Sequence, residues 1–174
     1  MYTHGMGKRG PKPKSSIDTT WRPELAYAVG LLASDGCLLN DGRHIDLTSK
    51  DREQVATFRR ILGLEHVMIG TKTSGSTSDR IYYRVQFSNV LFYRWLQSVG
   101  LSPQKSRTMG LLSIPDEYFF DFFRGLFDGD GSIYAFWDKR WASSYVYWLM
   151  ITSASPAFML WLQCECAGLA NVRG

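Results

Sequence analysis

The chain has 174 residues, 45% of them hydrophobic, and a formal net charge of +4. That is enough apolar material for a packed core, so wholesale disorder is excluded, and no apolar run approaches the roughly 18 residues that a bilayer span needs. Three cysteines (Cys37, Cys164, Cys166) do not make a disulfide scaffold, and no charged-then-apolar leader opens the chain, so the expectation is an intracellular protein, not secreted and without a membrane partner.

The charge excess lies at the start. Residues 1–22 hold Lys8, Arg9, Lys12, Lys14 and Arg22 against Asp18 alone, and the rest of the chain balances. Gly and Pro keep this stretch from being helical, so residues 1–20 read as a flexible basic arm, either lying along phosphates or serving as a solubilising tail. Pro23 and Glu24 then open a helix over Leu25–Asp35, ended by Gly36. Strands are predicted at Cys37–Asn40 and Arg43–Thr48 around the turn Asp41-Gly42. Ser49 is the expected N-cap of a helix over Arg52–Leu62, closed by Gly63. A strand at His66–Thr73, a polar loop at Ser74–Asp79, a strand at Arg80–Phe87 and a helix at Val90–Val99 follow. Residues 102–114 read as a linker. Pro115 opens a helix through Asp116–Asp128, before strands at Gly131–Trp137 and Tyr145–Thr152 and a helix at Ser155–Cys166.

The second part repeats the first. Val29-Gly-Leu-Leu-Ala-Ser-Asp-Gly36 aligns with Arg124-Gly-Leu-Phe-Asp-Gly-Asp-Gly131, Leu47-Thr-Ser49 with Ile151-Thr-Ser153, and Gly63-Leu64 with Gly168-Leu169. The expected organisation is a first repeat at 21–101 and a second, incomplete one at 115–174. The second lacks a counterpart of Gly70–Leu101, so a further polypeptide segment is expected to complete it, unless the chain is a fragment.

Each repeat ends its first helix in an aspartate, where the helix macrodipole disfavours a carboxylate. Asp35 faces Asp130 in the alignment, whereas Asp128 faces Ala33. A duplicated misplacement suggests a use, and a divalent cation would turn the repulsion into binding. A calcium loop counted from Asp128 fails, because Ile133 and Lys139 stand where Gly and Glu are needed. Gly30, Ala26 and Ala33 on one helix, and Gly125 and Gly129 on the other, would let two backbones approach and set Asp35 beside Asp130. A plain buried helix pair is the alternative.

The segments Leu25–Gly36 and Asp121–Ser132, with the linker Pro103-Gln-Lys-Ser106 and Ile114-Pro-Asp-Glu-Tyr118, resemble the two signatures of LAGLIDADG homing endonucleases over about Trp21 to Gly174. The resemblance implies an α+β fold in which an αββαββα unit is duplicated about a pseudo-twofold axis. It also implies a saddle-shaped antiparallel sheet on double-stranded DNA, with the second copy here truncated. It further implies Mg²⁺ or another divalent metal held by Asp35 and Asp130, which become the catalytic carboxylates. Lys50 matches the family's basic residue after the second strand. Ala154 stands at that place in the second half, where Lys105 is a candidate substitute.

On the strand Arg80–Phe87, Arg80, Tyr82, Arg84 and Gln86 face one way, and long donors at period two suit base edges in a major groove. Lys72 and His44 are expected to join them, with Asp46 near the centre. In the second half Lys139 and Arg140 sit in a hairpin loop within reach of phosphate. Tyr145–Met150 is apolar on both faces, and Trp148 is expected in the core, with stacking or packing against a partner as the alternative. Cys164 and Cys166 read as packing residues. The resulting expectation is a metal-dependent, site-specific DNA endonuclease. An RNA-binding intron maturase and a non-catalytic DNA-binding regulator on the same scaffold stay open.

Overall fold

The computed structural model describes residues 17–73, 80–141 and 143–171. The basic stretch through residue 16 and the polar loop at 74–79 lie outside the described residues. Helix α1 (Pro23–Ser34) leads into strands β1 (Gly36–Leu38) and β2 (His44–Ser49), helix α2 (Arg52–Ile61), strands β3 (Gly70–Thr73) and β4 (Ile81–Ser88), and helix α3 (Val90–Val99). A short helix α4 (Lys105–Thr108) interrupts the segment expected as loop. A 3-10 turn at Asp116–Tyr118 then precedes helix α5 (Phe119–Asp130), strands β5 (Gly131–Trp137) and β6 (Tyr145–Ile151), and helix α6 (Pro156–Ala170). The class is α+β, and every strand pair is antiparallel.

Local chemistry sets most boundaries. Asp51 caps α2, its Oδ1 accepting from the amides of Glu53 at 2.8 Å and Gln54 at 3.4 Å. Ser49, expected in that role, is instead the last residue of β2, and its hydroxyl accepts from the Asp51 amide. Asn89 caps α3 and Ser155 caps α6. Gly63 and Gly100 end their helices at φ +65° and +111°, conformations that glycine adopts without a Cβ penalty. Gly168, aligned with Gly63, lies inside α6, which runs on to Ala170.

The first sheet has the order β1-β2-β4-β3. Period two sends Leu38, Ile45, Leu47, Val85 and Phe87 to its inner face, where they join Val55 and Phe58 of α2 and Phe92 and Leu96 of α3 in the core. Ile17 is buried in the same core, so packed structure begins before Trp21. Every residue of α1 from Leu25 to Ala33 is buried, because the helix is covered by α5 as well as by its own half.

Among the described residues the second sheet is the hairpin β5-β6. Gly131 pairs with Ile151 as Gly36 pairs with Leu47, so the repeat read from the sequence holds at the level of strand register. Gly36 abuts Leu32 and Gly131 abuts Phe127 so closely that a Cβ would lie 2.7 Å and 2.4 Å from the carbonyl oxygen, which accounts for a glycine after each acid. Phe119 and Phe122 of α5 meet Phe158 and Trp161 of α6 in a smaller aromatic core. Trp148 does not join it: it is 60% exposed, because one hairpin and one helix cannot cover both faces of the sheet. Cys164 is exposed and Cys166 half-buried, so packing explains only the second.

Candidate functional site

The helices α1 and α5 cross at their glycines. A Cβ on Gly30 would lie 2.1 Å from the Phe122 carbonyl oxygen, and one on Gly125 would lie 2.1 Å from that of Tyr27. The two helices stay in contact to their C-terminal ends. There Gly129 meets Ser34, and a Cβ on Gly129 would stand 3.4 Å from Asp35 Oδ2. Asp35 caps α1, and Asp130 is the last residue of α5.

Asp35 is held above the ordinary carboxylate range, first by burial and then by the like charge of Asp130, with Lys105 opposing. Burial raises Asp130 too, again against Lys105. Lys105 is the unexpected member. It is 8% exposed, and its Nζ donates to the Ser34 carbonyl oxygen at 2.7 Å, satisfying one of the orphan acceptors at the end of α1. Burial lowers its own pKa, while Asp130, Cys37 and Asp35 hold it up. Lys105 is therefore no exposed DNA contact; it is a fixed cation within the electrostatic reach of both carboxylates. Its neighbour Gln104 takes the left-handed conformation, at φ +59°, that turns the chain toward the site. Nothing in the residue types alone foretold that burial.

Beside Asp35 opens a cleft of about 680 Å³, lined among others by Lys50, Gln54, Tyr82 and Asp128. Lys50 is exposed, with its Nζ 5.8 Å from the centre of the Tyr82 ring. Asp128, the unshared acid, is tied up structurally. Tyr27 Oη donates to its Oδ2 at 2.9 Å, and Gln54 Nε2 donates to its carbonyl oxygen at 3.1 Å. Burial, and then the bond to Asp128, push the Tyr27 hydroxyl up to about 12, and the Arg124 guanidinium lies 4.7 Å from the Tyr27 ring centre. Among the described residues no three His, Cys, Asp or Glu side chains gather as a metal cluster. Two half-buried carboxylates, one of them raised by the charge of the other, are nonetheless a hard-oxygen donor set suited to a divalent cation.

Strand pairing puts Lys72, Tyr82, Arg84, Gln86, Asp46 and His44 on the outer face of the first sheet. Lys72 and Gln86 are exposed, and Arg80 lies just before β4, also exposed. Two expected donors already have partners: Arg84 is paired with Asp46, and His44 Nδ1 with Asp41. In the second half Lys139 is exposed, while Arg140 is held by Asp138 through its backbone amide and its guanidinium. Among the described residues the polar sheet face thus lies in the first half. No helix among the described residues is long and apolar enough to cross a membrane.

No family model and no curated protein matches the sequence. Solved structures do match. Full-length DUF199/WhiA from Thermatoga maritima is 14% identical with a TM-score of 0.57, over 91% of this chain and 48% of that one, so the chain spans about half its length. The N-terminal LAGLIDADG domain of DUF199/WhiA is 14% identical with a TM-score of 0.54, over 89% and 70% of the two chains. A looser match is I-DmoI in complex with DNA and Mn, 13% identical with a TM-score of 0.45, over 84% and 77%. The chain has a LAGLIDADG-like fold.

Proposed function

We propose that the chain is a metal-dependent endonuclease that hydrolyses both strands of a long double-stranded DNA site. Its functional units are the basic stretch ahead of Ile17, the repeats at 21–101 and 115–174 and the linker at 102–114. The observation that carries the reading is the glycine-mediated crossing of α1 and α5, which brings the two shared aspartates, Asp35 and Asp130, to one end of the helix pair. Mg²⁺ bound between them would lower the pKa of an attacking water and stabilise the leaving alkoxide. Asp35 and Asp130 are the residues that would hold that ion. Lys105 limits the repulsion between the carboxylates, and Lys50 offers its exposed ammonium to the phosphate in the first-half cleft. Lys72, Arg80, Tyr82 and Gln86 lie along base edges and backbone, joined by Arg84 and His44 once they leave their carboxylates, while Lys139 and Arg140 approach phosphate from the hairpin loop.

The test is Asp130→Asn assayed with a randomised duplex library and Mg²⁺. The expected result is retained binding with cutting lost. Intron splicing that survives the substitution would favour the maturase reading. Tight duplex binding with no cutting by either protein would favour a regulator. The regulator reading has one observation in its support, Ala154 at the place of Lys50.

A further inference from the structure

The half of the molecule that carries Lys50 also carries a polar bridge that the other half lacks. Lys50 stands between two pinned residues: Ser49 pairs with Tyr83 at the end of β2, and Asp51 caps α2. Four residues on, Gln54 reaches across to α5, its Nε2 donating to the Asp128 carbonyl oxygen at 3.1 Å. That oxygen is one of the last four carbonyls of α5, which no amide further along the helix satisfies. Tyr27 of α1 holds the same residue by its side chain, and the Arg124 guanidinium backs the Tyr27 ring. Asp128 is thus gripped twice, two residues ahead of Asp130. Gln54 is not the cheapest residue for its place. Its Oε1 is buried and accepts from no group among the described residues, an arrangement that costs about 1–3 kcal/mol. The second half shows what packing alone selects. In the repeat register Phe122 stands at the place of Tyr27 and Ala33 at that of Asp128. Phe158 stands at the place of Gln54, three residues after the cap in each helix. All three are buried in the apolar core. Ala154 replaces Lys50, so the bridge and the lysine occur together in one half and are replaced together in the other.

We propose that Tyr27 and Gln54 are positioning residues, which hold the end of α5 to the start of α2 and so fix Lys50 relative to the carboxylate pair. The link is needed because Lys50 and Asp130 belong to different halves. Lys50 follows β2 of the first sheet, whereas Asp130 leads into β5 of the second. The glycine crossing sets α1 against α5, but it leaves the start of α2 across the open cleft that Lys50, Gln54 and Asp128 line. Gln54 closes that gap through the main chain of Asp128, and Tyr27 keeps Asp128 in place to receive it. The catalytic consequence rests on the nuclease reading, whereas the placement of Lys50 does not.

The test uses the intact protein with Tyr27→Phe and Gln54→Leu, each an apolar residue of the kind the second half carries at the equivalent place. A duplex selected from the random library, with a different label on each strand, is cut with Mg²⁺. The strand served by the Lys50 cleft should slow by about tenfold or more in each variant, since misplacing a reacting group by about 1 Å can cost about 10²-fold. The other strand should keep its rate, which a merely structural defect would not allow. In a Lys50→Ala background Gln54→Leu should add nothing, because the group it positions is gone. The second readout needs neither metal nor DNA. Lys50 Nζ lies 5.8 Å from the centre of the Tyr82 ring, so the ring current marks the lysine methylenes in the NMR spectrum. Those shifts should move toward free-lysine values in both variants. Equal slowing of both strands, a Gln54→Leu effect that persists without Lys50, or unaltered Lys50 shifts overturns the proposal. A wild-type protein that binds the duplex and cuts neither strand overturns the nuclease reading, and the Lys50 shifts then decide by themselves whether the bridge places that lysine.

Discussion

Lys105 decides whether the carboxylate pair can stay ionised without metal, because it is the cation set against both. The folded pKa of each aspartate is raised above the unfolded value of 3.8. Each therefore contributes stability that is complete below that value and is lost as pH rises through the raised folded value. The metal-free protein should lose stability as pH rises from 3.8 through the raised folded values, with no further loss from this pair above them. Lys105→Met, which keeps the buried stem, should steepen that loss, and Asp35→Asn should flatten it. Denaturation midpoints at pH 4 and pH 7 measure both, and equal midpoint changes at the two pH values would refute the assignment. With Mg²⁺, Asp35→Asn should cut DNA about 10³-fold more slowly, the several kcal/mol that a bound metal supplies.

At the scale of elements, the helix crossing is the least tolerant feature. Gly30→Ala places a methyl against backbone atoms of Phe122 and Leu126, which cannot rotate away. The helices must part, and the cost should be about 1–3 kcal/mol or more in chemical denaturation. Gly168→Ala is the counterpart, since nothing lies within 4 Å of a Cβ there and the residue is inside α6. It should stabilise by about 0.5–1 kcal/mol. Both crossing glycines and both terminal aspartates were legible in the sequence, because close packing and charge at a helix end leave short-range signatures that a repeat doubles. Three features were not. Asp51 displaces Ser49 as cap because Ser49 is itself the last paired residue of β2, while the helix starts at Arg52 as expected. Arg84 closes on Asp46 because the two strands set them nearly opposite, a relation that depends on register. Lys105 is buried through a contact 71 residues away in sequence, with Ser34.

At the scale of the whole molecule, the two halves share a strand register and the shared acid yet differ in everything laid around them. The first half has Lys50 in a polar cleft and a sheet face with exposed Lys72 and Gln86. The second has Ala154, an apolar hairpin, and an arginine already bound to Asp138. Asymmetry of this kind should appear in both binding and chemistry. Lys72→Ala should lower duplex affinity and reduce the slope of log K against log salt by about one, as for the loss of a single phosphate contact. Lys139→Ala should do less, because its neighbourhood supplies little other polar contact. In a supercoiled plasmid carrying the site, nicked circles should accumulate before linear product. The strand served by the Lys50 cleft should be cut first, since a cation at the scissile phosphate offsets charge that develops in the transition state. Lys50→Ala should slow that first nick, and Ala154→Lys should speed the second. If both strands are cut at the same rate and neither substitution alters their order, Lys50 is not the source of the asymmetry. The difference between the halves would then lie in how the DNA is held rather than in how it is cut.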